Sequence, residues 1–253
     1  MASALVKRGQ SSAVASVPSK RPAAGSSAHD EVPLLVSVVG GNVVTVAAVL
    51  GCLNTTDVTV LRRLHPAVVP HVAAIPWQDN TGTTGVLDIV RWRAALPAAV
   101  GCKLHSSAKL PDSDALTALR GVTKVDLHRS IITDAVVAAL PPTLTFLNVT
   151  GCSQLTEGVS FTHLPALEAL CCGATKANLA DLPPSLRFLT ILPSKAASFG
   201  RLRSLRVLSC LGLSNTKIVA SLPPSLEKLD VSMADQVWPP DWSAAHLTRL
   251  RVL

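Results

Sequence analysis

Apolar residues recur along this chain to one local rule, Leu-x-x-Leu-x-apolar. LTFLNV from Leu144, LEALCC from Leu167, LRFLTI from Leu186, LRVLSC from Leu205 and LEKLDV from Leu226 obey it, and LRVL from Leu250 opens it again. A weaker copy, VTKVDL, starts at Val122. Successive starts lie 22, 23, 19, 19, 21 and 24 residues apart. Inside each copy the alternation has the period of a strand, whose neighbouring side chains point to opposite faces. Leu147 and Val149 therefore turn inward, while Phe146, Asn148 and Thr150 turn outward. One such strand cannot bury its apolar face alone, so the copies are expected to stack and share a continuous core.

Two forms of the copy alternate. The longer form is led by Leu-Pro-Pro, at Leu140, Leu182 and Leu222; the copies at Leu167, Leu205 and Leu250 lack the Pro pair. Proline removes a backbone donor and fixes φ, which suits a turn or extended entry into the strand and not a helix. The period of about 20–29 residues and the Leu-x-x-Leu-x-apolar core resemble leucine-rich repeats. VDLHRSIITDAVVAAL (Val125–Leu140) and LNVTGCSQLTEGVSF (Leu147–Phe161) resemble, more narrowly, the cysteine-containing repeats of F-box/leucine-rich-repeat proteins. Thr133 and Thr156 stand where a helix N-cap is expected. The cysteine position holds Cys152 in one copy and Ser130, Thr175, Ser194, Leu213 and Ala234 in others, so later copies have little room for an outer helix. The implied fold class is α/β, a leucine-rich-repeat solenoid of short parallel strands on a concave face.

Residues 1–31 are rich in Ser, Ala and basic side chains without apolar periodicity, and read as a disordered tail. Val32–Leu53 carries no charge for 22 residues, long enough for a bilayer. Pro33 and the Gly40-Gly41-Asn42 break favour two buried helices. This region resembles an F-box: Val32-Pro33 stands for the leading Leu-Pro, Leu50–Leu53 for a helix end, Asp57 for the next helix start, Val60-Leu61 for its apolar face, with Trp77 beyond. The family's Glu and the aromatic before the turn are missing. The resemblance implies docking to a ubiquitin-ligase adaptor; a plain helical cap over the open end of the array is the other reading. Gly85–Val100 is expected to be helical up to Pro97, with Trp77 and Trp92 as core anchors. The resulting division is a tail at 1–31, a helical, F-box-like cap at 32–105, and about six to seven repeats at 106–253. LTRLRVL at the C-terminus starts a further strand, which reads as a fragment of a longer array.

Composition narrows the function. Hydrophobic residues make up 48% but aromatic ones only 3%, with no Tyr. That serves a leucine core better than a base-stacking surface or a ring-lined pocket. Net charge is +7 with pI near 9.4. Lys7, Arg8, Lys20 and Arg21 lie in the tail, and Arg187, Arg201, Arg203, Arg206, Arg249 and Arg251 in the repeats. They read as solvated surface, because no interleaved aromatics or recognition helix accompany them, and no nucleic acid is expected. Six cysteines show no C-x-x-C pair, so a zinc site is not expected and reduced structural thiols are. H-E-x-x-H, G-x-S-x-G and phosphate-loop motifs are absent. We therefore expect a non-enzymatic protein-binding module without cofactor or metal. Its outward strand residues would form the contact surface: Lys124, Asp126, His128; Phe146, Asn148, Thr150; Cys171; Phe188, Thr190, Leu192; Val207, Ser209; Lys228 and Asp230. Phe146 and Phe188 are the candidate anchors. A cytoplasmic location is expected; the competing picture is a membrane-tethered repeat protein anchored by Val32–Leu53.

Overall fold

A computed structural model describes residues 69–78, 87–106, 110, 113–173, 181–192, 199–210, 220–231, 243 and 245–251. Seven strands form one parallel sheet whose spatial order is the chain order. They are β1 (Gly101–Lys103), β2 (Lys124–Asp126), β3 (Phe146–Asn148), β4 (Ala169–Cys172), β5 (Phe188–Ile191), β6 (Val207–Cys210) and β7 (Lys228–Asp230). Among the described residues four short helices accompany them: α1 (Val69–Ala74), α2 (Ile89–Ala95), α3 (Ser113–Ala118) and α4 (Asp134–Ala138).

The register aligns the repeat rule rung by rung. Cys102, Val125, Leu147, Leu170, Leu189, Leu208 and Leu229 are partners in one inward row. Each is no more than 1% exposed. Burying a side chain of this size stabilises by roughly 1.5–3 kcal/mol, so the row is the backbone of the core. A second inward row, Cys172, Ile191 and Cys210, follows it. The first leucine of each copy, Leu144, Leu167, Leu186, Leu205 and Leu226, is fully buried at the strand entrance.

Each strand is entered through the same turn. The N–H groups of Val122, Leu144, Leu167, Leu186, Leu205, Leu226 and Leu250 donate to the carbonyl three residues back, at 3.0–3.3 Å. In the Pro-Pro copies that carbonyl belongs to Pro141, Pro183 or Pro223, leaving Pro142, Pro184 or Pro224 at the second turn position, where a fixed φ is favoured. In the other copies Leu164, Leu202 or Leu247 opens the turn, one residue later. Both forms bury their leading Leu, so the alternation is a one-residue difference in turn entry. Ser185 and Ser225 Oγ donate back to the Leu167 and Leu205 carbonyls, at 2.7 and 2.8 Å. Gly121 holds the third turn position before Val122 with φ 78, where a side chain would be strained.

Turn and strand are tied by a repeating two-to-one bond. The carbonyl just before each strand accepts two N–H groups from the next copy: Val100 from Thr123 and Lys124, Thr123 from Thr145 and Phe146, Glu168 from Arg187 and Phe188, and so on to Arg206. Arg251 N–H donates to the Glu227 carbonyl at 2.8 Å, so the copy at Leu250 starts an eighth rung as the sequence predicts.

Three local expectations need correction. The sheet begins at β1, five residues before 106, because Gly-Cys-Lys is too short to show a period. Thr133 sits at the N-cap of α4 in extended conformation, but its hydroxyl makes no capping bond. Thr156 caps no helix: residues 153–160 form turns, and the Thr156 hydroxyl accepts from Gly158 N–H at 3.1 Å. Gly158, a poor helix former, sits where that helix would start. Thr156 instead binds Asp134, through its N–H at 3.0 Å and its hydroxyl.

The N-terminal end is closed by a small cap. Gln78 bridges Gly101 in parallel, and Val100 and Gly101 N–H both donate to the Trp77 carbonyl. Trp77 and Trp92 are buried, as expected of anchors, and Trp77 Nε1 donates to the Val72 carbonyl at 2.9 Å. Asp88 caps α2 by accepting from Arg91 N–H, and the helix ends before Pro97. The Arg93 guanidinium then reaches the carbonyls of Pro97 (3.1 Å), Ala99 (2.8 Å) and Arg120, joining α2 to the entry of β2. The tail, Val32–Leu53 and the F-box-like residues Val32, Pro33, Leu50–Leu53, Asp57, Val60 and Leu61 lie outside the described residues. Among the described residues no helix is long and apolar enough to cross a membrane.

Candidate binding face

Opposite the core, the sheet presents two outward rows. Gly101, Lys124, Phe146, Ala169, Phe188, Val207 and Lys228 are partners in one; Lys103, Asp126, Asn148, Cys171, Thr190, Ser209 and Asp230 in the other. From Lys124 onward every member of the two rows is at least partly accessible, and Lys228 is exposed. Eleven of these positions belong to the sequence-predicted surface. The centre is small or apolar and the ends charged, as the alternation requires. Phe146 and Phe188 sit two strands apart, about 10 Å, on either side of Ala169, and so bound a slot one strand wide.

Some predicted contact residues are already engaged. Asp126 Oδ1 accepts from His128 N–H at 2.9 Å, and Asn148 Oδ1 from Thr150 N–H at 3.0 Å. These matched bonds shape the turns leaving β2 and β3. His128, expected to be exposed on a strand, lies half-buried in the turn after β2, because Asp126 folds the chain there. Lys124 Nζ donates to Gln78 Oε1 at 2.6 Å and so serves the cap edge. Leu192 stands exposed just past β5, at 42%. The least committed part of the face is thus β3 to β6.

The thiols follow their faces. Cys171 is half-buried on the outer row, and burial pushes its pKa up from the ordinary value of 9.0, with Thr190 bonding as a smaller opposing effect. Cys152 is raised to about 11 and Cys210 to about 12, both chiefly by burial. Such thiols stay protonated and act as small hydrophobes. Among the described residues no group of three His, Cys, Asp or Glu side chains gathers to hold a metal ion.

Alternating inward leucines on consecutive, directly neighbouring parallel strands decide the architecture. The described residues form a parallel-strand solenoid with the repeat spacing of leucine-rich-repeat folds. No protein-family model and no curated protein matches the sequence. Solved leucine-rich-repeat structures resemble it at low identity. An internalin (inlF) from Listeria monocytogenes aligns over 74% of this chain and 55% of its own at 18% identity, TM-score 0.48. An internalin C2 from the same organism aligns over 74% and 82% at 20% identity, TM-score 0.44. A TLR13–ssRNA13 complex aligns over 73% of this chain but 33% of TLR13, at 20% identity and TM-score 0.48. The chain thus spans about half the length of the first of these and a third of TLR13.

The sequence reading missed the part played by four residues. Lys103 and Gln78 extend the face and its edge, hidden because β1 is three residues long. Arg187 and Arg206, named there only as surface charge, stand immediately before Phe188 and Val207, on the rim of the slot. Their place was implicit in the spacing: each follows the first leucine of its copy.

Proposed function

We propose that the chain is a non-catalytic protein-interaction module that binds a protein partner across the open face of β3 to β6. The supporting observation is the row Phe146, Ala169, Phe188, Val207, an apolar strip on the solvent side of a sheet, flanked by charged ends at Lys124/Asp126 and Lys228/Asp230. An apolar centre within a polar rim is the anatomy of a protein interface. In the finer form of the proposal the module works in the cytoplasm as a substrate adaptor of a ubiquitin ligase. Residues 32–77 dock the ligase adaptor and the sheet face chooses the substrate; support for this is the F-box resemblance of that segment.

Affinity purification of the full chain from fractionated cells, alongside Phe146→Ala/Phe188→Ala, tests both levels. Cullin-type ligase components on wild type and variant alike, with other partners lost from the variant, is the expected result. Partners retained by the variant would sink the face assignment. Recovery only in the carbonate-resistant membrane fraction, without ligase components, would replace the adaptor by an anchor at Val32–Leu53.

A further inference from the structure

We infer that the entry-turn edge of the sheet, together with the Phe146–Phe188 slot, recognises an acidic protein segment that carries an apolar side chain. This deepens the protein-binding proposal and rests on it. The entry turns and the residue before each strand all lie along one edge, since every copy enters its strand alike. Folding gathers there six exposed arginines: Arg120, Arg187, Arg203, Arg206, Arg249 and Arg251. Only Glu168 and Glu227 oppose them in the same positions. Across the sheet, the strand ends and the turns that follow hold Asp126, Asp134, Glu157 and Asp230 against Lys103 and Arg129. Among the described residues the two edges therefore differ in sign, which the sequence order of these residues conceals.

The density of charge peaks beside the slot. Arg187 and Arg206 occupy the same rung position on neighbouring strands, about 4.8 Å apart along the sheet. Like charges directly opposite one another are unfavourable, and a bound anion relieves that. Arg206 has one ion pair, 3.6 Å to Glu227, with its side chain 58% exposed. Such a pair is weak and yields easily to a competing carboxylate. Among the described residues Arg187 has no ion pair within 4.0 Å. Arg203 adds a third guanidinium from the turn that leads into Leu205. Planar guanidinium forks suit carboxylates, and the neighbouring rings suit an aliphatic or aromatic side chain one or two residues away.

A nucleic acid fits less well. Glu168 and Glu227 flank the arginine pair in the same row, where a continuous phosphate backbone would meet both. The slot between the rings is one strand wide with Ala169 as its floor, sized for a side chain more than for a run of stacked bases.

The test selects binders of the full chain from a random peptide display library, then measures the enriched peptide by fluorescence anisotropy. Arg187→Glu/Arg206→Glu is compared with Arg91→Glu/Arg129→Glu, which changes net charge equally at exposed positions off the entry-turn edge. Circular dichroism melts verify that both variants fold, as exposed positions should. The expected result is enrichment of Asp or Glu close to Leu, Ile, Phe or Met. Affinity should fall about tenfold or more for the first variant and less than about twofold for the second. Phe146→Ala/Phe188→Ala should weaken the same peptide without changing its salt dependence. Enriched peptides that are neutral or basic, or equal losses in the two charge variants, would overturn the inference while leaving a protein-binding face intact. Binding of oligouridine that is lost in Arg187→Glu/Arg206→Glu would overturn the inference and the proposed function together.

Discussion

Ser130 offers a test of how the repeats solve the same local problem with different residues. Cys152 and Ser130 occupy equivalent places in consecutive copies: each N–H donates to the carbonyl three residues back, Cys152 to Val149 at 3.2 Å and Ser130 to Leu127 at 2.9 Å. Cys152 Sγ reaches the Leu127 carbonyl of the preceding copy at 3.1 Å. The Ser130 hydroxyl, 2% exposed, finds no partner. Its C–O bond is shorter than a C–S bond, and the carbonyl that stands in the corresponding place, Leu104, is out of reach.

A buried hydroxyl left unpaired costs about 1–3 kcal/mol. Ser130→Cys should recover part of that by reaching the Leu104 carbonyl, and bury a softer atom besides, for a gain of about 1–2 kcal/mol. In a domain of this size that raises Tm by about 3–6 °C. Ser130→Ala removes the orphan without supplying a bond and should fall between the two. Cys152→Ser should lose about 1–2 kcal/mol, because it creates at Leu127 the defect that Ser130 already has. Urea titrations followed by circular dichroism rank the four proteins. If Ser130→Ala and Ser130→Cys both destabilise, the hydroxyl has a partner and the reasoning fails.

Three further outcomes follow from specific contacts. Arg129 has φ 56 where the next copy places Gly151 with φ 73, and a Cβ at Gly151 would stand 3.0 Å from Arg129 Cγ. Gly151→Ala should therefore cost about 1–2 kcal/mol and Arg129→Gly should gain up to about 1 kcal/mol, with the double variant better than additive; a double-mutant cycle by chemical denaturation checks this. Arg93→Ala should free α2 from the first entry turn, increasing hydrogen exchange at Thr123 and Lys124 and lowering stability by about 2 kcal/mol, whereas Arg91→Ala should not. Unfolded thiols titrate near 9.0 and the folded ones of Cys152 and Cys210 near 11 and 12. Between those values the folded state holds more protons, so their contribution is intact below about 9 and stability should fall as pH rises from there towards 12. Cys152→Ala/Cys210→Ala should flatten that alkaline decline in pH-dependent melts, and an unchanged slope would disprove the assignment.

What was legible in the sequence is what depends on period two. Leu144, Leu147 and Val149, and their counterparts to Leu229, could be placed inward from spacing alone, because a one-residue slip would expose every one of them. The outward rows follow automatically from the same alternation, and Phe146, Phe188, Cys171 and Thr190 stand on them. Features without a period stayed hidden. β1 has three residues and a glycine, too few to alternate. The turn at Thr156 is fixed by Gly158 and by Asp134 from the preceding copy, a contact across 22 residues. His128 was misplaced because Asp126, a strand residue by pattern, also bonds the backbone beyond it.

The charge on the entry edge shows why a repeat array can be specific without a pocket. In a solenoid, residues 19 to 24 apart in sequence become neighbours about 4.8 Å apart, so a side chain at one repeat position is set beside its counterparts from other copies. The position just before the strand is Thr123, Thr145, Glu168, Arg187, Arg206, Glu227 and Arg251 in successive copies: neutral over the cap half, charged over the second. Glu168, Arg187, Arg206 and Glu227 are not needed by the core, since a buried leucine precedes each and the buried row begins two residues later. They can vary without disturbing the fold, so the identity of a partner is written there and in the adjoining outward row, while the inward rows keep the scaffold constant. Thr145 is partly buried and its hydroxyl donates to the Thr123 carbonyl at 3.1 Å, so exchanging Thr145 and Arg187 should cost about 1 kcal/mol, the worth of that bond, and shift the preferred peptide along the sheet by two strands.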